Sequence, residues 1–166
     1  MGNAVDIRIR QARVEDAGQI LAFIRELGEY EQLAHEVVAT EAGLTEQLFG
    51  PQPAAEVLIA EVDGKPAGFA LFFRNFSTFL AQPGLYLEDL YVRPALRGQG
   101  IGKRLMIHLA RLAVQRGYGR FEWSVLDWNA PAIGFYRRIG AIGLQEWTVQ
   151  RLTGDALRGL AGQPID

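Results

Sequence analysis

The chain contains no cysteine, which removes disulfide scaffolds, thiolate metal sites and cysteine nucleophiles, and suits a reducing compartment. Histidine is nearly as scarce. His35 and His108 stand alone without a second histidine at ligand spacing, so both read as surface or helix-face residues and no metal site is expected. Charge of one sign is also lacking: 17 basic and 19 acidic residues leave a net charge of -2, and nothing draws the whole chain to a phosphate backbone or an anionic bilayer. Neither nucleic acid nor membrane is an expected partner. Long apolar runs are missing too, the stretch Gly68 to Phe73 being far short of the roughly twenty residues of a membrane-spanning helix. Met1 to Asp6 show no basic segment followed by an apolar one, and Asp6 stands where a myristoylation signal needs Ser or Thr, so the expected location is cytoplasmic.

What is present suffices for one globular core. With 49% apolar residues in 166, and no repeat, low-complexity tract or linker, a single domain over residues 1–166 is expected. Ile7-Arg8-Ile9-Arg10 alternates as a half-buried strand does, and the spacing of Ile20, Phe23, Ile24 and Leu27 is helical. Thr40 is placed to cap a short helix carrying Leu44, Leu48 and Phe49, which Gly50-Pro51 breaks. Val57 to Val62 and Ala67 to Phe73 read as antiparallel strands joined across Asp63-Gly64, two residues that tolerate positive φ. Asn75 to Gly84 reads as a loop ending in Pro83-Gly84, whose Phe76, Phe79 and Leu80 cover a pocket or a partner. Leu85 to Val92 is a further strand, and Leu105, Leu109, Leu112 and Ala113 mark a helix from about Gly102 to Gln115, stopped by Gly117. Phe121, Trp123 and Val125 alternate along another strand. Asn129 caps a helix with Pro131 in its first turn and Gly140 at its close, and a last strand is expected near Trp147 to Leu152. The fold class is α/β (α+β): one mixed sheet with helices packed on it.

The strongest local signal is Arg97-Gly98-Gln99-Gly100-Ile101-Gly102, which puts three glycines between a strand and an amphipathic helix. Missing side chains let a diphosphate approach successive backbone N–H groups, and the helix N-terminus adds partial positive charge. Arg97, Lys103 and Arg104 add full charges. The bland alternative is a flexible turn flanked by solvated basic residues. A P-loop is excluded because Gly102-Lys103 is followed by Arg104, which leaves no hydroxyl for magnesium. A dinucleotide fingerprint fits poorly, since this turn is Gly-x-Gly-x-Gly and Arg93-Pro94-Ala95-Leu96 separates it from the strand, although Glu122 keeps that reading open.

The Arg-x-x-Gly-x-Gly motif, the preceding Leu-Tyr-Val strand and the later Asn-x-Pro helix resemble the GNAT acetyltransferases over nearly the whole chain. Within them, Tyr86-Leu87-Glu88-Asp89-Leu90-Tyr91-Val92 and Trp128-Asn129-Ala130-Pro131-Ala132-Ile133-Gly134-Phe135-Tyr136 look like the diamine (spermidine/spermine and thialysine) N-acetyltransferase branch. The resemblance implies a mostly antiparallel mixed sheet, splayed near Leu90 to Val92 at an acetyl-CoA site, with helices on both faces, and a homodimer. It implies that Leu90, Tyr91 and Val92 meet the pantetheine arm, that Arg97, Gly98, Gln99, Gly100, Ile101, Gly102 and Lys103 hold the pyrophosphate, and that Asn129, Ala130, Pro131 and Ala132 flank the arm. Tyr30, Glu31, Glu88, Glu122, Trp123 and Ser124 align with substrate-side positions. Trp123-Ser124 and the Asn75 to Gly84 segment depart from the polyamine enzymes.

The expected reaction is direct acetyl transfer from acetyl-CoA to a primary amine of a small diamine, polyamine or lysine-like amino acid. Such an amine has a pKa near about 10.4 and must lose a proton before attacking a thioester. Glu88 is the candidate acceptor; its bland alternative is a carboxylate paired to an arginine. Strand alternation sends Glu88 and Asp89 to opposite faces unless a bulge intervenes, so they are read as two roles rather than a dyad. Tyr136 matches the family's acid for the departing thiolate, while on helical spacing alone it is a core aromatic beside Phe135. The Leu90 amide is the expected oxyanion donor. Glu29, Glu31, Glu122 and Asp127 read either as an acidic lining for a polycation or as solvated faces. Trp123, Trp128 and Trp147 are expected in the core or a dimer interface, with Trp123 also a candidate for the amine pocket. Two alternatives remain open: a GNAT enzyme for another amine, such as a protein N-terminus or an aminoglycoside, and a non-catalytic acyl-CoA-binding sensor.

Overall fold

Alternation and capping act first. A computed structural model describes residues 5–165 and divides them into two compact units, one reaching to Ser124 and one starting at Val125. In the first unit, β1 (Ile7–Gln11), α1 (Ala17–Tyr30), α2 (Glu41–Phe49), β2 (Glu56–Val62), β3 (Lys65–Ser77), β4 (Gln82–Val92), α3 (Ile101–Gln115) and β5 (Phe121–Trp123) follow in that order. The Thr40 hydroxyl accepts from the Gly43 amide at 3.1 Å and starts α2. Asp63 and Gly64, with φ of 50° and 77°, turn β2 into β3 as their residue types require.

The sheet order is β1-β2-β3-β4-β5, antiparallel except for the parallel pair of β4 and β5, whose crossover is α3. One face carries Val57 and Ile59 of β2, Phe69 and Leu71 of β3, and Tyr91 of β4 against Ile20, Phe23 and Leu27 of α1 and Leu48 of α2. Phe23 stacks on Phe69 with ring centroids 5.4 Å apart, and both are fully buried, each contributing about 1.5–3 kcal/mol by leaving water. Alternation sends Leu58, Ala60, Ala70 and Phe72 to the other face, where α3 packs with Ile101, Leu105, Met106 and Leu109 buried. Helices thus cover both faces.

Two expectations fail. The stretch from Asn75 to Gly84 is no loop: β3 runs to Ser77, β4 starts at Gln82, and they pair through Asn75↔Gly84, Phe76↔Pro83 and Ser77↔Gln82, with only Thr78 to Ala81 turning. Pro83 is tolerated because its carbonyl, not a missing N–H, is what the neighbouring chain uses, accepting from the Gly119 amide at 3.0 Å. In the second unit, α4 (Ala130–Arg138) and α5 (Gly154–Ala161) form, but Trp147 to Leu152 is not a strand. A pattern becomes a strand only where a ladder forms, and among the described residues none forms over this stretch. Trp128 and Trp147 are exposed rather than core residues.

Candidate functional site

A register shift in β4 organises the site. Leu71 pairs with Asp89 but Phe72 pairs with Leu87, so Glu88 is an extra residue, a β-bulge. Paired residues share a face, and the bulge therefore switches which face β4 serves. Leu87 joins Phe72 on the α3 face, whereas Asp89 joins Leu71, and Tyr91 joins Phe69, on the α1 face. The condition under which Glu88 and Asp89 come together is met.

They are joined by Glu31, which follows the last residue of α1. Asp89 is partly buried, and burial first, then the charges of Glu88 and Glu31, pushes its pKa up to about 7. Burial and the charge of Glu88 likewise raise that of Glu31. Three carboxylates thus share one region, and such a cluster has a physical use: it attracts cations. Among the described residues no group of His, Cys, Asp or Glu is arranged to hold a metal ion.

The same bulge decides which amides of β4 point where. Before it, the Leu85 N–H donates to the Arg120 carbonyl, toward β5, at 2.9 Å; after it, the Arg93 N–H donates to the Ala67 carbonyl, toward β3, at 2.9 Å. By alternation the Leu90 and Val92 amides face away from β3. The Val92 carbonyl shares that direction and accepts from Arg97 Nε at 2.9 Å. β5 ends at Trp123, opposite Leu87, so beyond Leu87 no ladder joins these two strands. That is a splayed sheet with outward-facing main-chain donors at Leu90 and Val92, and Tyr91 between them is anchored in the core.

The glycine turn follows. Gly98 and Gly100 have φ of 80° and 79°, and a Cβ added at either would meet nothing within 4 Å, so both lie open. Gly100 precedes α3 in a left-handed conformation with no side-chain cap, which leaves the amides of Ile101, Gly102 and Lys103 to an outside acceptor. Buried Ile101 and Leu105 fix the helix beneath them, while Gln99, Lys103 and Arg104 are exposed. The cradle fits a diphosphate.

On β5, Glu122 lies beside Tyr86 in register, and the Tyr86 and Ser124 hydroxyls hydrogen-bond at 3.0 Å, on the α1 side of the sheet. Trp123 has the opposite parity and packs on Phe121, ring centroids 4.9 Å apart. Tyr30 is the last residue of α1. In the second unit, Asn129 caps α4, its side chain accepting from the Ala132 amide at 3.4 Å, with Ala130 and Pro131 in the first turn. Tyr136 sits on the same helix, partly buried, its ring 5.5 Å from that of Phe135.

The sequence profile of the acetyltransferase (GNAT) family matches residues 17–141. The chain belongs to the GNAT acetyltransferase family. This acetyltransferase is 40% identical over 167 residues to the thialysine N-epsilon-acetyltransferase of Mus musculus, covering 94% of the chain and 98% of the relative. It is 35% identical over 204 residues to the L-ornithine N5-acetyltransferase of Arabidopsis thaliana, covering 96% and 90%. An integron cassette protein of Vibrio cholerae superposes with a TM-score of 0.79 at 28% identity over 95% of this chain and 98% of the other. Family membership makes the chain an acyl-transferring enzyme, and acetyl-CoA is the co-substrate of GNAT enzymes. Among the described residues of this acetyltransferase no helix is long and apolar enough to cross a membrane. Sequence reasoning passed over Asp89 as a site residue; the signal was the adjacent acid pair in a strand, which alternation alone would have separated.

Proposed function

We propose that this enzyme transfers acetyl from acetyl-CoA directly to a primary amine of a small diamine, polyamine or lysine-like amino acid. The observation that carries the reading is the gathering of Glu31, Glu88 and Asp89 at the bulge beside outward-facing strand amides. Two relatives are named for acetylation of amino acids at a side-chain nitrogen, which favours a lysine-like substrate.

The carboxylates receive the ammonium, and Glu88, the exposed member, takes its proton directly or through water. The nitrogen lone pair attacks the thioester carbonyl, the Leu90 amide supports the oxyanion, and the C–S bond breaks. Tyr136 gives a proton to the departing thiolate. Leu90, Tyr91 and Val92 meet pantetheine, the main chain from Gly98 through Gln99, Gly100, Ile101 and Gly102 to Lys103 holds the pyrophosphate in the loop that Arg97 opens, and Asn129, Ala130, Pro131 and Ala132 flank the arm. Tyr30, Glu122 and Ser124 complete the amine side, with Trp123 packed behind them. We further propose a cytoplasmic homodimer acting on neither nucleic acid nor membrane, consistent with a net charge of -2; sedimentation tests the dimer.

A coenzyme A release assay across diamines, polyamines, thialysine, ornithine, an aminoglycoside and a peptide N-terminus tests the substrate class. Turnover is expected with the first four, and Glu88→Gln is expected to lower kcat/KM by about 10²–10³. Preference for the aminoglycoside or peptide would sink the assignment. Gly100→Val places a branched side chain at a positive φ, which costs about 1–2 kcal/mol, and crowds the cradle. Calorimetry is expected to find coenzyme A binding weakened at least about tenfold.

A further inference from the structure

Two arginines bracket the turn that leads from β4 into the glycine loop, and both reach the same helix. The Arg93 guanidinium holds the Glu26 carboxylate through Nε at 3.2 Å and Nη2 at 3.0 Å, donates Nη1 to the Pro66 carbonyl at 3.1 Å, and lies over the Phe23 ring at 4.9 Å. The Arg97 guanidinium lies over the Tyr30 ring at 4.6 Å and the Tyr91 ring at 5.8 Å, while its Nε donates to the Val92 carbonyl. Glu26 and Tyr30 are one helical turn apart on α1, so the two arginines staple one side of its last turn. The next residue is Glu31, which belongs to the carboxylate cluster.

The contacts of Arg97 point away from the task of holding an anion. Main-chain amides and the helix N-terminus serve a diphosphate without it. Its plane is instead fixed by two rings and a strand carbonyl, and a planar guanidinium is the group that such a site selects. Any shift of the glycine loop therefore moves Tyr30, and any shift of the end of α1 moves the loop. Arg93 holds the other end of the same turn to the helix core, so Arg97 is the link nearest both sites.

We propose that Arg97 and Tyr30 form a positioning clasp that makes the thioester carrier and the amine bind cooperatively, the carrier's diphosphate setting the loop and the loop setting Glu31 beside Glu88 and Asp89. This rests on the carrier and amine assignments of the proposed function. By linkage the amine strengthens carrier binding by the same factor. The pair acts through the end of α1, and neither residue is given a chemical step.

Calorimetric titration of coenzyme A, which cannot turn over, with and without saturating thialysine tests this. In the unaltered enzyme thialysine is expected to tighten coenzyme A binding about fivefold or more. In Tyr30→Leu and in Arg97→Lys, which keeps the charge and loses the plane, that ratio falls to about one whatever happens to either affinity alone; Tyr30→Phe retains it. In steady state the KM for thialysine falls as acetyl-CoA rises in the unaltered enzyme and becomes independent of it in the two variants. Should Tyr30→Leu fail to fold, Arg97→Lys decides. A ratio of one in the unaltered enzyme, or a ratio retained in Arg97→Lys, overturns the clasp and leaves the proposed reaction standing. If the unaltered enzyme binds no coenzyme A, the proposed function itself falls.

Discussion

Asp89→Asn is expected to raise the melting temperature at pH 8 by roughly 5–10 °C and to leave it unchanged near pH 3. In the folded enzyme the Asp89 carboxyl has its pKa pushed up to about 7, by burial and then by Glu88 and Glu31. In an unfolded chain it ionises near about 3.9. Between those values the native state keeps a proton that the unfolded chain gives up, so stability falls as pH rises through the window. The stabilisation is complete below the unfolded pKa and gone above the folded one. Three units at about 1.36 kcal/mol each set an upper bound of about 4 kcal/mol, which water reaching the partly exposed carboxyl reduces. Asparagine fills the same space and cannot ionise. Melting curves of both proteins from pH 3 to 8 decide: curves that stay parallel would remove the carboxylate cluster as a source of strain. The same titration adds a negative charge to the amine side, so the KM for a diamine is expected to fall between pH 6 and 8 in the unaltered enzyme only.

Tyr136→Phe is expected to lower kcat by about 10²–10⁴. Without a proton donor the C–S bond must release a free thiolate, whose conjugate acid has a pKa near about 8.5. The defect should therefore shrink when acetyl is presented on a more acidic thiol, which leaves well unprotonated. The ratio of unaltered to variant kcat across a series of acetyl thioesters measures this. A constant ratio would assign Tyr136 to packing beside Phe135 on α4.

Local chemistry made much of the fold readable. Asp63-Gly64 demanded positive φ and turned a hairpin; Thr40, Asn129 and Gly117 set helix ends where capping rules place them. The glycine turn was readable because its task needs main-chain atoms and excludes side chains. Pro83-Gly84 misled, since punctuation residues usually close a strand. Here Gly84 lies within a strand because a Cβ would meet the Asn75 side chain and the Arg120 carbonyl, a crowding visible only once three segments are side by side. Trp147 to Leu152 shows the converse: pattern without pairing. The Arg97–Tyr30 stack, between residues far apart in the chain, leaves no trace in spacing.

The unpaired residue in β4 also sets what kind of genetic change this enzyme can absorb. A substitution at Glu88 alters one side chain, whereas losing the codon restores two-residue alternation along the whole strand. Leu87 and Asp89 would become neighbours and by that alternation keep the faces they now serve, and the Leu90 and Val92 amides would still point away from β3, so what goes is the carboxylate and the bend in the strand. Systematic single-residue deletion should find this exposed position tolerated for folding and not for turnover, the reverse of what loss of a paired core residue does.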